Sequence, residues 1–355
     1  MDKLDVLVVY NASVAQSATI SDHLSLHPFL LASSKANYNL SYSYFLAHCD
    51  QLGLSAGFTT SSDITGPGTC QTYWTTQENS WVKVNQPAHA HHIFDKISPN
   101  NQVRSTERSL LLSDSTIIPF NDRALFTTFH DKLLTYQQLP EYALPTVELA
   151  NSRLSTIRSS LASLRLLCAT HRFPSDFGTS VILKDRFGAG GNYVFKITRS
   201  FVPQIRQLMC HNPHIHFILQ PYLAFDLGYA YRGTPTTADI RLIFHRNRLF
   251  QAYLRLAKAN DFRCNQHQGG KLIYVTKKDL PPAVIKVAQK IRQKINKPHA
   301  LYALDFVISN SGRIYFLEGN IGPGITWDTA DLVDTKKAQQ LIRSIVRSIA
   351  SRVNA

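Results

Sequence analysis

Cysteine is scarce in this 355-residue chain. The five residues present (Cys49, Cys70, Cys168, Cys210 and Cys264) are odd in number and lack paired metal or redox spacing, so a disulfide framework and a zinc site are both excluded as organising principles. Long apolar runs are missing as well. No segment reaches the ~18 uncharged residues of a membrane span, and MDKLDVLVVY places acidic residues where a secretory signal needs basic ones. A soluble, cytoplasmic protein without a membrane partner is expected. Internal repeats and low-complexity tracts are absent too, which removes solenoids and disordered linkers from consideration.

Acidic residues are few, and their shortage is uneven. The chain has 24 Asp and Glu against 38 Lys and Arg, yet residues 1–120 carry a net charge of −3 and the remainder +17. Such a surplus collects nucleic acid, nucleotide phosphates or an acidic substrate. The basic residues are scattered along helical stretches without interleaved aromatics, which argues against nucleic acid. With 44% apolar residues and this length, two or three globular domains are expected.

LDVLVVYN opens as a parallel strand covered on both faces, and short strands and a helix over 34–53 complete a small α/β domain over 1–121. From 124, ALFTTFHDKLLTYQQL reads as one helix that ends at the following Pro. Mixed helices and mainly antiparallel strand pairs then divide into two α+β lobes, 122–223 and 224–355. Two features are costly unless they work. Asp305 in YALDFVI and Glu318 in IYFLEGN are carboxylates inside apolar strands, and burying one requires a cation. With Asn320 they make a set of oxygen donors that suits Mg²⁺; pairing with nearby Arg or Lys is the alternative. Lys184 in VILKD precedes FGAGG, so an ammonium and free backbone N–H groups can surround a polyphosphate, although a plain hairpin needs glycine too. The segment RLAKANDFRCNQHQGG, residues 255–270, is longer than any hairpin connection requires.

Taken in order, Lys132, Lys184 with its glycines, LQPYL, DIR, the Arg255-to-Gly270 segment and D-x₁₂-E-x-N-x-x-PG resemble the ATP-grasp ligases. The branch is that of the ribosomal protein S6 glutamate ligase, with the ATP-binding domain of glutathione synthetase as a further likeness. The resemblance covers roughly residues 121–350, and the first domain is similar in layout only to the Rossmann-like domain that precedes the ATP-grasp lobes. It implies that Lys132, Lys184, Gly188, Gly190 and Gly191 hold the phosphates of ATP, that Gln220, Tyr222 and Leu223 meet adenine, and that Asp226 faces the ribose. Pro221 stands where the family often has an acidic residue. Asp305, Glu318 and Asn320 match ligands of Mg²⁺, expected as two ions with Mn²⁺ able to substitute, and Arg241, Arg255 and Asn265 match residues near the transferred phosphate and acyl group. Arg263 and His267 lie on the same loop.

The implied reaction joins a carboxylate to an amine with formation of ADP. The acceptor is an amino acid, a peptide or a protein end, acidic or peptidic ones being favoured by the basic surface, and an oligomer is left open. A non-catalytic ATP-binding protein on the same fold and an RNA-binding protein are the rival readings. The insertion 223–238, Tyr231 and Trp327 are possible borders of the acceptor pocket or simply surface loop and packed core. His89, His91 and His92 lack matching ligands for a metal.

Overall fold

The computed structural model describes residues 1–19, 26–78, 80–98 and 102–354, the side chains of 102–105 and of His267 excepted. Two compact units emerge: one of residues 1–123, 299–301 and 322–355, the other of 124–298 and 302–321.

In the first unit, β1 (Asp2–Tyr10) carries the run Val6–Val9, every member of it fully buried. After α1 (Tyr38–Gln51), strands β2 (Ala56–Thr60), β3 (Ile64–Gly66), β4 (Thr69–Cys70), β5 (Tyr73–Gln77), β6 (Ser80–Val84), β7 (Ala88–Lys96) and β8 (Ile118–Pro119) complete the sheet, with α2 (Gln102–Leu111) before the last strand. The sheet runs β3-β4-β7-β1-β2-β5-β6, with β8 beside β7. β1 lies parallel to both β2 and β7, as its unbroken apolar run predicts. β3 to β6 extend the edges as short antiparallel pairs.

In the second unit, the segment read in the sequence as one helix over 124–139 is two: α3 (Arg123–His130) and α4 (Lys132–Gln138). Asp131 breaks it. Its backbone is extended and its side chain accepts from the N–H groups of Leu133 and Leu134, an N-cap that starts a new helix one residue after the old one ends. β9 (Val147–Leu149), α5 (Leu154–Ala169), β10 (Phe177–Asp185), β11 (Val194–Ile197), α6 (Phe201–His211) and β12 (Phe217–Leu223) follow. They form a four-stranded antiparallel sheet, β11-β10-β12-β9. α5 buries Ile157, Leu161 and Leu164 in one cluster with Leu183, Phe217 and Leu219, and each such side chain contributes about 1.5–3 kcal/mol.

The insertion after β12 forms a small hairpin, β13 (Ala230–Tyr231) with β14 (Thr234–Pro235). β15 (Ala238–His245), β16 (Arg248–Leu256), β17 (Lys271–Val275), α7 (Pro282–Ile295), β18 (Leu301–Ile308) and β19 (Ile314–Asn320) then build a five-stranded sheet in the order β17-β16-β15-β18-β19. The chain finally returns to the first unit, where α8 (Leu332–Val353) buries Leu341, Ile345 and Ile349 and packs with α1. The tail read with the C-terminal lobe thus completes the N-terminal core, because its apolar stripe is met there.

Candidate active site

Side chains alternate along a strand, and on one face of the five-stranded sheet the alternation lines up charged residues. Asp239 lies opposite Arg255, and Asp305 opposite Glu318. Arg241 follows Asp239 by two, so it shares that face. Asp305 has no exposed surface. Its Oδ1 accepts from Nε of Arg241 at 2.6 Å, and its Oδ2 from the Nη2 groups of both Arg241 and Arg255. Arg255 also donates to both oxygens of Asp239, at 2.7 and 2.8 Å. Of the two readings the sequence left open for Asp305, guanidinium pairing is the one seen. Burial pushes its carboxyl up, but Arg241 and Arg255 outweigh that and hold it below the ordinary carboxylate range. Asp239 is pushed up by burial to about 6, with Asp305 adding to the rise and Arg255 and Arg241 opposing it. Arg255 itself belongs to β16 and not to the loop after it, because its pairing with Asp239 prolongs the strand.

Glu318 differs: its side chain keeps 24% exposure and its nearest cation is Nη2 of Arg241 at 4.0 Å. A one-residue bulge explains its aim. Asp305 pairs with Glu318 but Phe306 pairs with Phe316, leaving Leu317 extra on β19, so Leu317 and Glu318 both face the cleft. Gly319 between Glu318 and Asn320 is required by packing, since a Cβ there would stand 2.4 Å from the ring of Phe129.

Across the cleft, Lys184 is buried in β10, paired with Val194 and Ile218. Burial pushes its ammonium down to about 8, with Glu318 acting in the opposite sense and Lys132 adding to the fall. Lys132, at the first turn of α4, is likewise lowered by burial, Glu318 opposing. Its Nζ donates to the carbonyls of Arg186, at 3.3 Å, and Gly188. Asp131 holds this arrangement from below: besides capping α4 it accepts from Nε and Nη2 of Arg186 at 2.8 and 2.6 Å. Replacing Asp131 with alanine is therefore expected to cost about 1–2 kcal/mol in chemical denaturation from the lost cap, and to weaken nucleotide binding by displacing Lys132. An unchanged unfolding midpoint would contradict the capping role.

The glycine loop is built for close approach. Gly190 and Gly191 have φ of +71° and +78°, a region that favours glycine. A Cβ on Gly191 would stand 2.7 Å from Oδ1 of Asn265, and Gln268 donates to the carbonyl of Gly190 at 3.3 Å. The two loops on either side of the cleft therefore touch. Gly270 also has a steric reason, its Cβ falling 2.3 Å from the carbonyl of Cys264. Arg263 pairs with Asp261, two residues back, and the His267 side chain lies outside the described residues.

The cleft is partly open to solvent. Lys132, Lys184, Gly188, Gly190, Gly191, Arg255, Asn265 and Glu318 line its polar end; Gln220, Tyr222 and Leu223 line the other with Leu144, Ile182, Phe262 and Val307. The Gln220 side chain is committed to Thr146 at 2.8 Å. Asp305 sits behind the wall, and Arg241 and Asn320 are also outside the lining. Asp226 is exposed and accepts from Asn310 at 2.9 Å, away from the cleft. Trp327 is packed core of the first unit, its ring edge-on to Tyr44, and Tyr231 does not line the cleft. His89 and His91 touch edge to face, and no metal-holding cluster of His, Cys, Asp and Glu occurs among the described residues. Asp131 and Arg186 were missed in the sequence, and Asp239 was read only as part of DIR, without a role; Asp131, a capping residue before an apolar run, left a local signal.

Asp305, Glu318 and Asn320 are hard oxygen donors of the kind that suits Mg²⁺. An ionised carboxylate offers about four lone-pair sites, and three donors occupy Asp305, leaving one on Oδ1. Glu318 is open toward the cleft, and Asn320 follows on the same side of β19.

Known structures share this architecture. D-cycloserine synthetase DcsG superposes with a TM-score of 0.56 at 14% identity, covering 98% of this chain and 99% of that one. D-alanyl-alanine synthetase A from Vibrio cholerae gives 0.57 at 12% identity, with 98% and 99% covered. The ATP-grasp ligase PsnB, complexed with a phosphomimetic variant of its minimal precursor, Mg and ADP, gives 0.52 at 10%, with the same coverage. No curated protein matches in sequence. Residues 143–345, more than half of the chain and most of the cleft, match the RimK-like ATP-grasp domain, and the chain belongs to that family.

Proposed function

We propose that the protein is an ATP-dependent carboxylate–amine ligase that works through an acyl phosphate. The observation that carries this reading is the opposition, across one cleft, of the buried Lys184, the half-buried Lys132 and a glycine loop to the half-buried Glu318. Lys132, Lys184 and the N–H groups of Gly188 to Gly191 hold the triphosphate, and the apolar slot between Ile182 and Val307 holds the base against Gln220 to Leu223. Asp305, Glu318 and Asn320 would hold Mg²⁺, which when bound neutralises charge on the phosphates. Arg241 and Arg255 keep Asp305 ionised and oriented, with Arg255 and Asn265 facing the cleft where the acyl group arrives.

A substrate carboxylate oxygen attacks the γ-phosphorus as the bond to ADP breaks. An amine then attacks the acyl carbon, loses a proton and expels phosphate. No protein nucleophile is required; positioning and charge carry the rate. Contact between the glycine loop and the loop at Asn265 to Gln268 supports exclusion of water, which protects the acyl phosphate. The acceptor is an amino acid, a peptide or a protein end. Release of phosphate is to be followed in a coupled assay over a panel of carboxylates and amines. Stimulation that needs both partners supports the ligase, whereas ATP binding without substrate-dependent ADP formation would favour a non-catalytic nucleotide-binding protein.

A further inference from the structure

The cleft does not account for the basic surplus of the second unit. Between Lys271 and Pro298 stand eight Lys and Arg against one acidic residue, Asp279, a surplus that equals half of the chain's net charge of +14. None of these residues lines the cleft. Six of them belong to the 3₁₀ turn Lys277–Asp279 and to α7, with Lys271 in β17 and Lys297 just after α7. α7 buries Val284, Ala288 and Ile291, and Lys286 and Lys290 stand exposed on its opposite side.

Within this region the charges are not cancelled. Asp279 is used internally: its carboxylate accepts from the N–H and the hydroxyl of Thr276, both at 2.7 Å, closing a capping box. Lys294 pairs with Glu141 at 2.9 Å, and Arg292 donates to the carbonyl of Asn247. Lys277, Lys278, Lys286 and Lys290 are exposed and form no ion pair among the described residues. Three of them, Lys277, Lys278 and Lys286, line an open groove with Leu280, Pro282, Ile285 and Gln289. Unpaired like charges held together raise the free energy of the empty protein, and apolar walls between them offer nothing to a hydrated small anion.

We infer that the groove between the Lys277–Asp279 turn and α7 is a docking site, separate from the cleft, for an acidic polypeptide segment carrying apolar side chains among its carboxylates. Charge complementarity selects the occupant: ammonium groups at the rim meet carboxylates, while Leu280, Pro282 and Ile285 receive aliphatic groups. Lysine point charges around aliphatic walls, with no aromatic platform in the groove, favour a peptide over single-stranded RNA, which uses stacking.

A labelled peptide of repeated Glu-Glu-Leu is the probe, compared on the full chain with Glu-Glu-Gly repeats and with a single-stranded RNA of equal charge. The leucine peptide is expected to bind more tightly than either, with affinity falling as salt rises. The triple charge reversal Lys277→Glu, Lys278→Glu, Lys286→Glu should weaken it by about tenfold or more and leave MgATP affinity unchanged. Ile285→Ser should weaken the leucine peptide and not the glycine one, with circular dichroism reporting whether α7 persists. Tighter binding of RNA, or peptide affinity untouched by the charge reversals, would overturn the assignment.

Discussion

Replacing Lys184 with methionine is expected to reduce substrate-dependent ADP formation by about 10²- to 10³-fold, the effect of removing one preorganised charged donor from a water-poor site. Stability should move the other way. Lys184 is 9% exposed and has no carboxylate partner among the hydrogen bonds of the described residues, so the methionine of similar shape removes a desolvated charge and should hold or raise the melting temperature. Lost activity with retained or improved stability would mark Lys184 as a residue kept for work and not for folding. Lost activity with lost stability would assign it a structural role.

The same lysine gives a signed pH dependence. Its folded value of about 8 lies below the ordinary 10.5, so between these the unfolded chain binds more protons than the folded one and this group's contribution to stability rises with pH. Nucleotide phosphates favour the ammonium, so MgATP binding between about pH 8 and 10 should take up a proton and weaken as pH rises. Calorimetry in buffers of different ionisation enthalpy reads the uptake directly; its absence would remove Lys184 from the phosphate site.

The second large effect concerns Asp305. Asparagine at this position keeps the shape and removes the charge that Arg241 and Arg255 share. Breaking one partner out of a buried pair costs about 3–5 kcal/mol, a large share of the 5–15 kcal/mol typical of a domain. Denaturant unfolding of Asp305→Asn should show a loss of that order. Adding Arg241→Met should recover part of it, because the stranded guanidinium is then gone. A loss under about 1 kcal/mol would mean that the network contributes little to the fold.

Much of the cleft was legible in the sequence because strand alternation is local. Asp239 and Arg241, or Glu318 and Asn320, share a face by spacing alone, and Lys184 stands out as an ammonium amid Val181, Ile182 and Leu183. What was not legible is who pairs with whom. Arg255 and Arg241 meet Asp305 from 50 and 64 residues away, and nothing local distinguishes them from other basic residues. The bulge at Leu317 had one local signal, Gly319 inside the strand, but a glycine there serves equally for close packing. The break at Asp131 was readable as a cap, but helical spacing on both sides of it suggested continuity. The edge strands β3 to β5, rich in Thr, offered too few residues for a period to show. The docking of α8 with α1 depends on which apolar stripe meets which, a choice that periodicity alone leaves undecided.

The proposed reaction requires that the acidic pair on β18 and β19 serve a nucleotide-bound cation. A crystal grown with a non-hydrolysable ATP analogue and Mn²⁺, read by anomalous scattering, tests it most directly. A peak touching Glu318, Asn320 and the free site on Oδ1 of Asp305 is expected, with the triphosphate lying along Lys132, Lys184 and the glycine loop. A nucleotide outside the cleft, or one inside it with no ion at these oxygens and Asp305 held by guanidinium groups alone, would contradict it.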